Sequence, residues 1–560
     1  MPKKILSFFN KEFNGINEAA LLLGGFAFLS QILGLIRDRT LASMIGAGPT
    51  LDVYYAAFRI PDFIYISIAS LASVTVLLPF LIEKIKGDDK SKARLFLDNI
   101  FSAYMLFMVI ISLIVAFLMP YIAHYIAPGF SEQQLASLVV TSRIMLLSPI
   151  FIGFSNLIGS VTQLFRNFFI FSLSPIFYNV GILFGIIYFY PIFGVYGLAY
   201  GVILGAILHL CVQIPVVVSH GLFPKITFKI NWLEIYSVTK LSIPRTLALS
   251  CNSLAFIFLI AMASTLKEGS ISLFTFSFNL QSVPVGIIGI SYSVAAFPML
   301  VKSFSLKDMD NFTGNIIGAA RQIIFWSLPV ISLIIVLRAQ IIRVVLGANT
   351  FSWADTRLTA AAVALFIISL ASQSLVLLFV RGYYAASKTK KPLVINIFSS
   401  IMIIVFAYIL LYIFKTHPYT LDFIEGILRV RDVPGTIMLA LPIAYALGSL
   451  LNFFLIWMMF KKDFLHERGT MLYKTFFQSL TSAFCMGFFS YVSLNLFSNI
   501  FNLNTFIGIF LQGLISGLIG ICSGIIVLYL FKNKEFLDIL KTLSHKFSNN
   551  RIVVPEQAEL

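Results

Sequence analysis

The chain has 560 residues, of which 59% are hydrophobic and 11% charged, and its mean hydropathy is +0.93. A soluble domain carries roughly 25% charged residues, so soluble α/β readings are excluded and the fold class is an all-α polytopic membrane protein. The net charge of +16 would point to nucleic acid in a soluble protein, but here the basic residues fall in short segments between apolar runs, which implies membrane topology and anionic lipid and no nucleic acid.

At the N-terminus, Lys3, Lys4 and Lys11 precede an apolar run from about Ala19. That run ends at Arg37-Asp38 and not at a small-residue cleavage site, so it reads as a retained first helix behind an interfacial segment over 1–17. A spanning helix needs about 20 apolar residues. Apolar runs and their breakers then predict about fourteen spans, near 18–36, 55–82, 97–119, 137–164, 169–190, 194–218, 245–265, 271–301, 315–337, 358–384, 392–414, 436–460, 473–496 and 505–531. Placing the N-terminus inside and alternating puts most of the 40 Lys and Arg on the cytoplasmic side, which predicts cytoplasmic N- and C-termini.

The chain repeats weakly. Leu29-Ser30 matches Leu249-Ser250, Pro79 to Lys84 resembles Pro298 to Lys302, and Pro175-x-x-x-Asn179 matches Pro392-x-x-x-Asn396, all at nearly the same offset. This predicts two parallel six-helix lobes, over 18–220 and 221–462, with two further helices over 463–531. Residues 532–560 are expected to form a cytoplasmic amphipathic helix, at 535–547, and a tail. Pro61, Pro149, Pro244, Pro284 and Pro329 fall inside or near spans and either kink a helix or open backbone into a cavity.

The most informative stretch runs from Ser30 to Asp62 and carries Arg37, Asp38, Arg39, Asp52, Arg59 and Asp62 beside membrane-length apolar segments. A charge at the centre of a spanning helix costs about 2.5–3.5 kcal/mol on insertion scales, so such residues face polar cavities, other protein groups or the interface. Arg37 and Asp38 end helix 1, Asp52 precedes helix 2, and Arg59 lies about one turn into it. They either cap helices and pair at the interface or line a cavity, where the planar fork of Arg suits a diphosphate. Arg245, after Pro244, is either a snorkelling anchor or a phosphate contact. Asn279 and Gln281, with Ser277, either link helices or line a cavity. Arg143 has no obvious acidic partner in the sequence. Gly513 and Gly517 form a small-xxx-small pair suited to close helix packing. Four cysteines in apolar runs lack C-x-x-C spacing, and no Walker A, H-E-x-x-H or G-x-S-x-G motif occurs. A disulfide framework, a metal site, an ATP-driven pump and a hydrolase are all disfavoured.

The stretch S-Q-I-L-G-L-I-R-D, then G-A-G, Asp52 and A-F-R-I-P-D resembles the start of the MurJ/MviN family, the lipid II flippases. N-L-Q-S-V-P-V-G from Asn279 and R-G-Y-Y-A-A-S-K-T-K-K-P from Arg381 resemble the family's helix 8 and helix 10–11 regions. The resemblance implies a MATE-like fold of the MOP superfamily, with two lobes around a V-shaped cationic cavity and helices 13–14 forming a groove for the polyprenyl tail. It implies a transporter, not an enzyme, that moves undecaprenyl-linked lipid II across the bacterial cytoplasmic membrane by alternating access for peptidoglycan synthesis. Arg37, Asp38 and Asp52 match family positions, and Arg59 matches one that is commonly basic. Gln31, Tyr65 and Asn279 stand where many members have arginine. The expected substrate-binding set is therefore Arg37, Asp38, Asp52, Arg59, Gln31, Tyr65, Asn279, Gln281 and Arg245. The expected partners are lipid II or a related polyprenyl-diphosphate glycolipid, membrane lipids and cell-wall synthesis proteins. No cofactor is expected beyond an unidentified coupling cation. The alternatives are a flippase for another polyprenyl-linked oligosaccharide, a cation-coupled exporter marked by a lone acidic cavity residue, and a non-transporting scaffold.

Overall fold

The computed structural model describes residues 16–68, 74–85, 90–347, 350–465, 471–503, 505–538 and 540–541. All regular structure among them is helical. Most of the interfacial segment over 1–17 lies outside the described residues, and of the helix expected at 535–547 only 535–538 and 540–541 are described as helix.

Each of the fourteen expected spans falls on helix, but length and apolarity alone single out ten among the described residues, or eleven if the pair Trp353–Ile367 and Leu370–Ala385, bent by 43°, is one span. The count of fourteen is thus not reproduced on that criterion. The difference lies at the first, second and seventh spans, whose apolar runs reach positions outside the described residues. The first is the Ile16–Met44 helix, which carries Arg37, Asp38 and Arg39. The span expected at 55–82 is broken at Phe58, between the helices Pro49–Ala57 and Arg59–Ile68; Val74–Lys84 is helical, and 69–73 lie outside the described residues. Pro61 explains the break, because it has no N–H for the carbonyl of Ala57 and its ring crowds that carbonyl. Pro149 acts likewise behind Met145, dividing Glu132–Met145 from Leu147–Leu164. The seventh span is the apolar end, Leu249–Ser264, of a longer Trp232–Ser264 helix. Pro284 is followed by a π-helical turn, Val285–Ile290, within the eighth.

The chain forms two compact units. The first comprises Met1–Leu280, Val345–Ala362 and Thr389–Gly448. Inside it, the Phe168–Phe184 and Val195–Cys211 helices touch backbone to backbone. A Cβ on Gly181 would lie 2.3 Å from the Cα of Gly205, and one on Gly185 2.3 Å from the Cα of Gly201. Glycine is required where two helix axes come this close. Phe96, Phe101, Leu157 and Val161 belong to a neighbouring buried cluster. The G-A-G loop after the first helix is fixed by Gly46, which has φ of +77° and would place a Cβ 2.8 Å from the Thr350 carbonyl oxygen. Thr350 Oγ1 lies 2.7 Å from the carbonyl oxygens of both Ala42 and Ser43, so it satisfies the exposed end of that helix. Further on, Pro418–Leu428 exposes Tyr419, Phe423 and Ile427 at a spacing of four residues, a pattern suited to a membrane interface. Arg357 grips Asp432 at 2.5 and 2.7 Å and also donates to the Arg429 carbonyl. Its hydrogen bonds hold the exposed Asp432 carboxyl below the usual carboxylate range.

The second unit comprises Gln281–Val344, Val363–Lys388 and Ser449–Leu560. Phe379, Tyr383, Phe460 and Phe464 form an aromatic cluster, and the Tyr383 hydroxyl donates to Asp463 at 3.1 Å. The expected close packing at Gly513 and Gly517 is present: their Cβ positions would lie 3.1 Å from Gln340 and 3.2 Å from Leu337. Buried Glu535 accepts from Thr475 at 3.1 Å and faces Arg321 at 3.9 Å.

Candidate functional site

The polar residues of the first unit gather around the end of the Ile16–Met44 helix. Arg37 donates from Nε and Nη2 to one oxygen of Asp38, at 3.0 and 2.8 Å, and its Nη1 reaches Asn179 Oδ1 at 3.4 Å. The other Asp38 oxygen accepts from Asn279 Nδ2 at 3.0 Å. Asn179 also donates to Ser30 Oγ at 3.4 Å and to the Pro175 carbonyl at 3.0 Å. Arg37 and Asp38 therefore form a pair braced by two amides from distant segments. The Asp38 side chain is 3% exposed and that of Arg37 is 23% exposed. A buried carboxylate needs this company, since desolvation of an unpaired ion would exceed what one contact returns.

Asp52 sits in a different setting. One of its oxygens accepts from the Ser272 amide at 2.8 Å and the Ser272 hydroxyl at 2.6 Å, and the other from the Gly269 amide at 2.7 Å. These amides belong to the start of the Ser270–Pro284 helix, so Asp52 caps that helix from a distant part of the chain and places its charge at the positive end of the dipole. Gly269 has φ of +87°, and a Cβ there would lie 3.0 Å from the Ala47 carbonyl oxygen, which keeps the position glycine.

Arg59 donates from Nε to the Tyr55 carbonyl at 3.0 Å and lies 4.7 Å from the centroid of the Phe256 ring. The rest of its fork meets no acceptor among the described residues. Tyr65 accepts from Asn156 Nδ2 at 2.6 Å. It also lines a cavity of about 250 Å³ together with Phe58, Asp62, Ser148, Tyr178 and His209. Gln31 is half-buried on the first helix. Gln281 lies in the second unit, where it is buried and accepts from Gln373 at 3.3 Å, so it links helices there. Arg245 is on the Trp232–Ser264 helix, and its side chain lies outside the described residues. Arg143 donates to the Ala116 carbonyl at 2.8 Å.

The structure thus brings Arg37, Asp38 and Asn279 into one cluster and gives Asp52 a capping role beside it. No group of three or more metal-ligating side chains occurs among the described residues. The arrangement offers a charged, hydrogen-bonding surface suited to holding a polar solute.

A sequence model of the family described as "Lipid II flippase MurJ" matches residues 41–421, well over half of the chain. The chain belongs to the MurJ family. Similar members include the "Probable lipid II flippase MurJ" of Buchnera aphidicola subsp. Acyrthosiphon pisum, 26% identical over 67% of this chain and 74% of the relative. The "Lipid II flippase MurJ" of Burkholderia cenocepacia is 25% identical over 68% of this chain and 75% of its own. A solved structure of lipid II flippase MurJ in an inward closed conformation superposes with a TM-score of 0.70 at 20% identity, covering 93% of this chain and all of that one. An inward-facing multidrug resistance MATE transporter of the MOP superfamily matches with a TM-score of 0.62 at 16% identity, over 80% of this chain and 96% of its own. Both establish the MATE-like fold expected from sequence. The matched stretch begins just after Arg37 and Asp38 and takes in Asp52, Arg59, Tyr65, Arg245, Asn279 and Gln281.

Two members of the site were not among the expected substrate-binding residues. Asn179 marked the internal repeat, but a lone amide in an apolar run was itself the signal that it binds something polar. Asp62 stood in the opening charged stretch, two residues from Arg59 and Pro61, yet only the cavity shows which way it faces.

Proposed function

We propose that this chain is a lipid II flippase of the bacterial inner membrane, moving the undecaprenyl-diphosphate-linked peptidoglycan precursor by alternating access. The observation that carries this reading is the match to the MurJ family across 41–421, and it favours lipid II over another polyprenyl-linked oligosaccharide or an exported drug. Lipid II is the substrate; membrane lipids and cell-wall synthesis proteins are the further partners of this reading. Lobes over 18–220 and 221–462 do the switching, helices over 463–531 hold the polyprenyl tail, and both termini lie in the cytoplasm. A coupling cation resets the cycle.

The proposed contacts divide by how much donor capacity each arginine keeps. Arg37 gives its fork to Asp38 and Asn179, so it positions the polar surface and meets sugar or phosphate only in part. Arg59 keeps unclaimed donors and is the principal diphosphate contact. Asn279, Tyr65 and Gln31 supply neutral hydrogen bonds where many members have cations, so recognition here relies less on fixed positive charge.

Complementation of a strain depleted of its own lipid II flippase tests the reading. The wild-type chain is expected to restore growth, Arg59→Ala to reduce it strongly, and Arg59→Lys to retain part of it. Failure of a wild-type copy that is shown by immunoblot to reach the membrane would sink the assignment.

A further inference from the structure

In the cavity it shares with Tyr65, Asp62 offers a negative charge that diphosphate binding does not use. The cavity is bounded by the Arg59–Ile68, Leu147–Leu164, Phe168–Phe184 and Val195–Cys211 helices of the first unit and has a volume of about 250 Å³. Among the described residues, Asp62 is the one carboxylate in its lining, and no lysine or arginine lines it. The Asp62 side chain is open to the cavity and makes no side-chain hydrogen bond or ion pair among the described residues. Two cations are nearby: Arg59, on the same helix, attracts Asp62 through space but makes no ion pair with it and turns its fork to the Tyr55 carbonyl and the Phe256 ring, and Arg37 turns to Asp38 and Asn179.

The other polar lining groups are all neutral oxygen or nitrogen donors: the hydroxyls of Tyr65, Tyr178 and Ser148, and the imidazole of His209. The Nδ1 proton of His209 follows from its neighbours. Gln213 Nε2 donates to Ser155 Oγ at 2.6 Å, and that hydroxyl donates to the His209 carbonyl at 3.0 Å. Its single proton being committed, Ser155 accepts from His209 Nδ1 at 2.7 Å. In the neutral imidazole with its proton on Nδ1, Nε2 keeps a lone pair and is a further acceptor. A lone carboxylate among uncharged oxygens, at a depth where an unpaired charge is unfavourable, selects for a cation of single charge.

We propose that Asp62, with the hydroxyls around this cavity, forms a binding site for a partly hydrated monovalent metal cation of the sodium and potassium class. Calcium takes six to eight oxygen ligands and is bound by several carboxylates, whereas this lining holds one. Zinc needs a cluster of His, Cys and carboxylates, and none occurs among the described residues. The volume accommodates a cation with several waters, and Pro61 and Pro175 in the lining leave backbone carbonyls of the preceding turns short of a donor. The purpose of the site, coupling transport to a cation gradient, rests on the flippase reading; the binding itself does not.

Thermal melting of the purified full-length protein in detergent tests this, with choline chloride exchanged for sodium or potassium chloride at constant ionic strength. The wild type is expected to show a saturable rise in Tm with sodium, potassium or both. Asp62→Asn, which keeps the shape, is expected to abolish the rise, and Tyr178→Phe to raise the half-saturating concentration about tenfold, a loss of about 1.4 kcal/mol. Glu132→Gln, at an exposed carboxylate of the first unit, is expected to behave as wild type. If Asp62→Asn does not fold, equilibrium binding of radiolabelled sodium to the wild type, displaced by unlabelled sodium and not by choline, decides the matter. A cation response that persists in Asp62→Asn, or a wild type that neither responds nor binds label, overturns the proposal. These readouts contain no lipid, so they fail independently of the growth assay.

Discussion

Asp38 and Asp52 are both almost fully buried, and the side chain alone does not say which would meet a solute. Their neighbours separate them. Asp38 shares its oxygens with an arginine that is still partly exposed, whereas Asp52 accepts only from the start of one helix. Asp52 is therefore expected to act through stability. Asp52→Ala leaves the Gly269 and Ser272 amides without acceptors in a buried setting, a loss of about 2–3 kcal/mol. Asp52→Asn keeps an acceptor oxygen but turns a donor toward other donors, so it should fall between. Melting of the three proteins in one detergent checks the order, and an Asp52→Ala protein as stable as wild type would refute the capping role.

At the scale of elements, two local rules set the helices, and both can be read from sequence. Proline ends the preceding turn: Pro61 and Pro149 each stand in the first turn of a new helix. Glycines four apart let helices touch, as at Gly513 and Gly517. The same spacing at Gly181 and Gly185 and at Gly197, Gly201 and Gly205 was equally visible, but only the structure shows that these two rows face each other. Gly185→Ala and Gly201→Ala should each destabilise the protein by about 1–3 kcal/mol through overpacking. By contrast, Gly314→Ala meets open space and should be neutral or slightly stabilising, since alanine favours helix. Equal melting temperatures for Gly185→Ala and Gly314→Ala would show that the close approach is absent.

At the scale of the whole molecule, membrane topology is the property on which the sequence speaks most directly. The fourteen crossings and cytoplasmic N-terminus expected from the sequence would return the C-terminus to the cytoplasm. A C-terminal green fluorescent protein fusion should therefore fluoresce, and a C-terminal alkaline phosphatase fusion should be inactive. The opposite pair of results would remove one crossing from the count.

The sequence by itself determined that this is a helical membrane protein, where nearly all its helices lie, and that its family motif carries charges out of place in lipid. Hydropathy, proline geometry and the cost of burying charge are local, and a window of residues suffices to read them. The tertiary structure decided what those charges do, because their partners lie 142, 241 and 220 positions away at Asn179, Asn279 and Ser272. No local rule selects one amide or one helix end at such separations. Folding assigned Asp38 to a braced ion pair and Asp52 to a helix cap, and it left Asp62 facing a cavity with no hydrogen-bond or ion-pair partner for its side chain among the described residues.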